Sequence, residues 1–315
     1  MKREIGVGLL VSAILIALAL IHPDFFRMEN LRDIALANAP VLIAAIGSTI
    51  VILAGEIDIS VGSQFAVLSI FAGVLAKAGF PALAVLLCAA GAGAALGAVN
   101  GLLVAMAGIP SIIVTLATMM IWRESLRWAT EGAWVQGLPA AFQWFGLSQD
   151  AGGLAILAGA AAIFAAASWA LKNAPAGRMV YATGSDREAA RLAGLHPRTV
   201  LLAVFALSGA LTGISAVASA ARFQDVPANA GVGLELKCIT AAVIGGTAIT
   251  GGRGSLLGTL LGVLLLGIVA TGMIFAGVSP YWERAVEGAI ILAAVCSERI
   301  SNAKAGRRAR AGAPA

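Results

Sequence analysis

The sequence is short of charge, cysteine and histidine, and each shortage removes a class of function. Charged residues make up only 12% of the 315, about half the share usual in a soluble domain. A soluble fold covers its surface with such groups, so that class is excluded. Cys88, Cys238 and Cys296 are scattered through apolar segments with no Cys-x-x-Cys pair, which argues against a disulfide framework or a zinc site. The two histidines, His22 and His196, lie far apart. Ser215 in Gly213-Ile214-Ser215 therefore has no base to activate it, and no metal-ligand cluster forms. No glycine is followed by lysine, so the phosphate-cradling loop of nucleotide hydrolases is missing. These absences point away from an enzyme and from any metal or cofactor held by the chain.

What is present is apolar length. Four runs carry no charge at all: Pro81 to Trp122, Ala151 to Leu171, Thr199 to Ala221 and Gly254 to Trp282. Each can cross a hydrocarbon core, which takes about 20 residues as a helix. Backbone groups in lipid must be satisfied internally, so helices are the expected spanning element. The runs are too long for the alternating strands of about ten residues in a membrane barrel. Glycine, at 38 residues, allows close helix contacts. The expected fold is all-α and polytopic, with ten spans near 5–21, 34–54, 61–79, 81–107, 110–128, 151–171, 199–221, 237–250, 254–275 and 281–297. Residues 1–298 read as one transmembrane domain, and 299–315 as a basic, disordered tail.

Charge placement supplies an orientation. With both termini inside, thirteen of the 21 basic residues and only six of the 16 acids fall on the inner side, as the positive-inside rule requires. The net charge of +5 then marks cytoplasmic loops rather than nucleic-acid binding. Met1-Lys2-Arg3 before an apolar run also has the form of a signal peptide, with Ala17 and Ala19 as a cleavage pair. An uncleaved first helix is what makes the later loops obey the charge rule.

The largest inner loop, 172–198, carries the clearest local signal. Ser185-Asp186-Arg187-Glu188 reads as a capping box, with Ser185 as N-cap and Glu188 three residues on. Ala189-Ala190-Arg191-Leu192-Ala193 continues the helix, Gly194 stands where a C-cap glycine belongs, and His196-Pro197 stops it. Arg187, Glu188 and Arg191 fall on one face and Ala189, Leu192 and Ala193 on another. Such a helix is either a solvated connector or a docking surface for a cytoplasmic partner.

A second signal is Gly55-Glu56-Ile57-Asp58-Ile59-Ser60-Val61-Gly62-Ser63. It interrupts an apolar stretch with carboxylates, which at membrane depth face a cavity or a partner. Asp58 or Ser60 could cap a helix starting near Val61; a plain turn is the alternative. Residues 243–255 echo 51–63 at five of 13 positions, as the pseudo-symmetric halves of a transporter do. Gly93-Gly97-Gly101 and Gly254-Gly258-Gly262 form flat strips for helix contacts, within the chain or at a dimer seam. Trp122, Trp128, Trp134 and Trp144 crowd an outer loop beside Arg123, Glu124, Arg127 and Glu131. That is either an interfacial belt or an outer mouth for a sugar-like solute. Along such a route the candidates are Glu56, Asp58, Ser60, Ser63, Trp122 and Glu124. A passive channel gives no reason for the large loop; an ion-coupled secondary transporter stays open, with Glu56 and Asp58 as its carboxylates.

Taken together, these segments resemble a known family. GEIDISVGS is similar to the signature of permease subunits in bacterial ABC importers for pentoses, rhamnose and autoinducer-2. YATGSDREAARLAGLHPRTV resembles their cytoplasmic coupling segment, and GVGLELKCITAAVIGGTAITGGRGSLLGTLLG their late glycine-rich helix pair. WATEGAWVQGLP is similar to the outer loop of the rhamnose and autoinducer-2 branch. The likeness runs over about 34 to 297. It implies a multi-pass inner-membrane permease that works with a like or identical second permease, cytoplasmic ATPase subunits holding ATP and magnesium, and a periplasmic sugar-binding protein. On that likeness Ser185 to Gly194 would be the ATPase-coupling helix, Gly55 to Ser63 the broken helix of the route, and rhamnose the first expected solute. Glu56 departs from the family's commoner glycine.

Overall fold

The computed structural model describes residues 2–282, 285–290 and 292. Up to residue 282 the described residues form α1 Lys2–Ile21, α2 Met28–Leu53, α3 Val61–Lys77, α4 Ala82–Ala105, α5 Ser111–Thr130, α6 Gln149–Asn173, α7 Pro175–Ser185, α8 Arg187–Leu192, α9 Pro197–Ala220, α10 Leu234–Ile244 and α11 Leu256–Phe275. Among the described residues there is no strand, only an isolated bridge between Val135 and Val226. The protein is an all-α, polytopic membrane protein. Of the last expected span, 281–297, a helical stretch at 285–290 is described. Cys296 and the tail 299–315 lie outside the described residues.

Among the described residues five helices, α2, α4, α6, α9 and α11, are long and apolar enough to cross a bilayer. Others depart from that form for visible reasons. The second half of α5 carries Arg123, Glu124 and Arg127. The 17 residues of α3 begin only after an irregular segment, 56–59. The eighth expected span, 237–250, overlaps only the 11-residue α10, which starts three residues earlier and ends at Ile244. At 1.5 Å per residue it rises roughly 16 Å, half of a core about 30 Å thick. Glycine-rich turns fill the rest.

The centre of the bundle is α2, buried along its second half from Ala39 to Leu53 apart from Val41 and Leu42. It packs on α9, α10, α11 and α6. The contact between α4 and α9 is the most extensive, and small residues explain it. A methyl group on Gly93 would overlap the Gly209 carbonyl, and one on Gly97 the Phe205 carbonyl. Gly101 faces Leu202, with an added Cβ 3.0 Å from its Cα. The second strip works alike: Gly258 lies on Gly245 and Gly262 on the Ala241 carbonyl, joining α11 to α10. Gly254 closes on Thr247. Both strips are contacts within the chain.

The two ends of the bundle differ. At one end α2 stops, α7 and α8 lie across it, and the turn 250–254 reaches the same place. At the other, the loops 131–148 and 221–230 are clasped together. Val135 and Val226 exchange N–H to carbonyl bonds of 3.0 and 2.9 Å. Leu138 N–H donates to the Gln224 carbonyl at 2.8 Å, and Gly137 N–H to Asp225 at 2.9 Å.

Candidate coupling junction and outer cavity

Three chain segments meet at the first end, and glycine is what allows it. Gly184, near the end of α7, lies so close to the Leu53 carbonyl that any Cβ would overlap it. The Gly252 N–H donates to that same carbonyl at 2.9 Å. A Cβ on Gly252 would stand 2.7 Å from the Ser185 Cα, and one on Gly251 2.6 Å from the Gly55 Cα. The two segments that echo each other in sequence, 51–63 and 243–255, therefore grip the 184–185 turn from both sides. Tyr181 adds a pin, its hydroxyl donating to the Gly254 carbonyl at 3.0 Å. Burial pushes its phenol above the usual value, so it remains a donor.

The short helix α8 hangs from this junction. Its N-cap is Asp186, not the expected Ser185, which ends α7. The Asp186 carboxylate accepts from the N–H groups of Glu188 and Ala189 at 2.9 and 3.0 Å. An extended residue is needed at the cap, and Asp186 is the one with that backbone. Glu188 therefore closes no capping box; it pairs with Arg191 at 2.6 Å on the exposed side. Gly194, with φ +82°, terminates the helix as expected, and Leu195 N–H returns to the Ala190 carbonyl. Ala190 is buried against the bundle, while Leu192 is 79% exposed beside exposed Ala189 and Ala193. Arg187 does not share the outward face with Arg191: it turns inward and forms an ion pair with Glu56, which is 8% exposed.

Past Glu56 the chain runs into a buried polar network. Ile57 N–H donates to Ser111 Oγ at 3.2 Å, fastening the 56–59 segment to the start of α5. Asp58, 2% exposed, accepts from the Ser60 N–H at 2.9 Å and from the Ser60 hydroxyl. Ser60 Oγ accepts in turn from Gln64 Nε2 at 2.9 Å and Asn100 Nδ2 at 2.8 Å. Ser60 does occupy the N-cap position of α3, but its side chain makes no cap bond; it is committed to Asp58. Ser63 Oγ donates to the Ser60 carbonyl at 2.8 Å. Gln64 Oε1 and Asn100 Oδ1 are buried without a partner.

The structure divides the expected route residues into two groups. Asp58, Ser60 and Ser63 share this network and Glu56 precedes it in the pair with Arg187, whereas Trp122 and Glu124 stand about three turns along α5 from Ser111. Glu124 is an exposed partner of Arg127 at 3.1 Å. The tryptophan that shapes a cavity is Trp134, beneath the clasp, in a space of about 530 Å³ also lined by Phe65, Ser69 and Phe223. Gln64 and Asn100 were legible in principle: Asn100 is the one amide in the charge-free run from Pro81 to Trp122. The close approaches of Gly184, Gly251 and Gly252 had no such mark, because glycines abound in this chain.

The comparisons with known proteins agree with this geometry. The family model for the branched-chain amino acid transport system / permease component matches residues 30–295. The ribose import permease protein RbsC of Escherichia coli K12 is 35% identical over 293 residues, covering 91% of each chain. The autoinducer 2 import system permease protein LsrC of Yersinia pseudotuberculosis is 32% identical over 298 residues, 92% of this chain and 83% of that one. LsrC of Photorhabdus laumondii is 28% identical over 298 residues, 93% and 88% of the two chains. No solved structure matches the chain.

Proposed function

This chain belongs to the family of permease components of the branched-chain amino acid transport system type, and from that membership we propose that it is the membrane-spanning subunit of an ATP-driven sugar importer. A permease subunit of this kind is not an enzyme. The observation that carries the reading is the junction: the short helix α8 hangs from the end of α7, which glycines lock to the end of α2 and to the α10–α11 turn, and its Leu192 is exposed. Through the Arg187–Glu56 pair, a push on the outer face of α8 passes to the irregular segment 56–59.

On this reading α7 and α8 face the cytoplasm, where α8 seats against an ATPase subunit. ATP and magnesium stay on that partner. The clasp faces the periplasm and receives solute from a soluble binding protein, and a second permease, identical or like, completes the route in a bacterial inner membrane. For the solute, the names of the relatives favour ribose or autoinducer-2. The outer-loop likeness WATEGAWVQGLP keeps rhamnose as a third candidate. The ion-coupled alternative draws no support from the family.

The test is reconstitution in liposomes with a partner ATPase and binding protein. Labelled ribose, rhamnose and autoinducer-2 are offered with and without ATP. Uptake of one solute that needs all components is the expected result. Uptake by this chain alone, driven by an ion gradient, would overturn the reading.

A further inference from the structure

Under the clasp, α3, the end of α9 and the two loops enclose a cavity of about 530 Å³, within the roughly 300–1,000 Å³ range of small-molecule sites. Its lining has a particular chemistry. Phe65, Trp134 and Phe223 contribute three aromatic rings, and Ser69, Gln224 and Asp225 contribute polar groups. Phe65 and Ser69, four apart on α3, share one helix face. Trp134 and Phe223 are half exposed, at 54% and 53%, although each carries a large apolar surface whose burial is favourable. Ser69 is the reverse: it is 2% exposed, and its hydroxyl has no hydrogen-bond partner among the described residues. Leaving a buried hydroxyl unpaired costs about 1–3 kcal/mol. Unburied rings and an unpaired hydroxyl around one space are complementary to a ligand with an apolar face and a hydroxylated edge.

We propose that this cavity is a solute-binding site for a monosaccharide-sized polyol. The C–H face of the sugar rests on Trp134 and Phe223, and its hydroxyls bond to Ser69, Gln224 and Asp225. Asp225 is pre-set for this, since one of its carboxylate oxygens accepts the Gly137 N–H at 2.9 Å and so fixes the carboxylate. The position fits a route as well. Phe65 directly follows Gln64, whose amide belongs to the Asp58 and Ser60 network. Solute held at the cavity is thus one helical turn of α3 from the segment tied to α8. The assignment rests on the importer reading for its purpose, but binding itself does not need the partners.

The experiment uses the full-length chain in nanodiscs, titrated with D-ribose and with L-rhamnose while indole fluorescence is followed. Glycerol at matched osmolality is the control. Saturable quenching by at least one of the sugars, lost in Trp134→Phe and weakened about five- to tenfold in Ser69→Ala, is the expected result. Trp134→Phe should melt at the wild-type temperature, since that ring is half exposed, and Ser69→Ala at that temperature or above it, since the change removes a buried unpaired hydroxyl. Quenching unchanged in Trp134→Phe, or absent in wild type, would overturn the site. The full complex then separates this claim from the reading beneath it. Quenching without ATP-driven uptake removes the importer and keeps the cavity, whereas normal uptake by Trp134→Phe and Ser69→Ala complexes removes the cavity and keeps the importer.

Discussion

Ser60 holds more of the interior together than its size suggests. Its hydroxyl donates to Asp58 and accepts from both Gln64 and Asn100, and it is fully buried. Ser60→Ala would leave a carboxylate and two amides short of partners at once. The expected loss is about 1–3 kcal/mol, read as a lower thermal midpoint in detergent. Ser63→Ala, which removes a single bond to the Ser60 carbonyl, should lose less than half as much. Glu56 and Arg187 invite a different measurement, because the guanidinium is half exposed and screened. In a double-mutant cycle of Glu56→Gln and Arg187→Gln the coupling energy should be about 1 kcal/mol. A value near zero would mean that the pair does not tie α8 to the 56–59 segment. For the same reason the charge reversal of Arg187 is a poor probe of docking: it would break the internal pair first.

At the scale of elements, contact between helices rests on missing side chains. Gly97→Ala puts a methyl into the Phe205 carbonyl and should cost about 1–3 kcal/mol of stability. Gly91→Ala, on the same helix with nothing within 4 Å, should be neutral or gain up to about 1 kcal/mol from helix propensity. Thermal unfolding of the two variants side by side gives the comparison. For α8, Asp186→Ala removes the cap of a six-residue helix and should cost about 0.5–2 kcal/mol. Amide exchange confined to 187–192 would report it. Most of this architecture was legible beforehand, since charge-free runs and Pro-Gly punctuation located the long helices. The cap was misread by one residue because Ser185 and Asp186 are both good caps, and only the backbone of α7 decides between them. The ring of glycines around α10 marked it as short in the sequence, but where its apolar residues give way to turns is not something periodicity resolves.

At the scale of the whole molecule, sequence patterns found the junction and the network separately but could not join them, since Arg187 lies 131 residues from Glu56. The exposed apolar face of α8 gives the direct test of assembly. Leu192→Glu should abolish co-purification with the ATPase partner and leave the melting temperature of the chain unchanged. Retained co-purification would place the contact elsewhere. The Asp58 network also bears on how the protein is made. Asp58 is 2% exposed, a buried carboxylate is costly without hydrogen-bond partners, and its indirect donor Asn100 sits 40 residues downstream of Ser60. While the ribosome has delivered α3 but not α4, that carboxylate lacks its full set of partners. Membrane integration of α3 is therefore expected to wait for α4, so that a nascent chain cut off before Asn100 leaves its third helix unsettled in the bilayer and open to proteolysis.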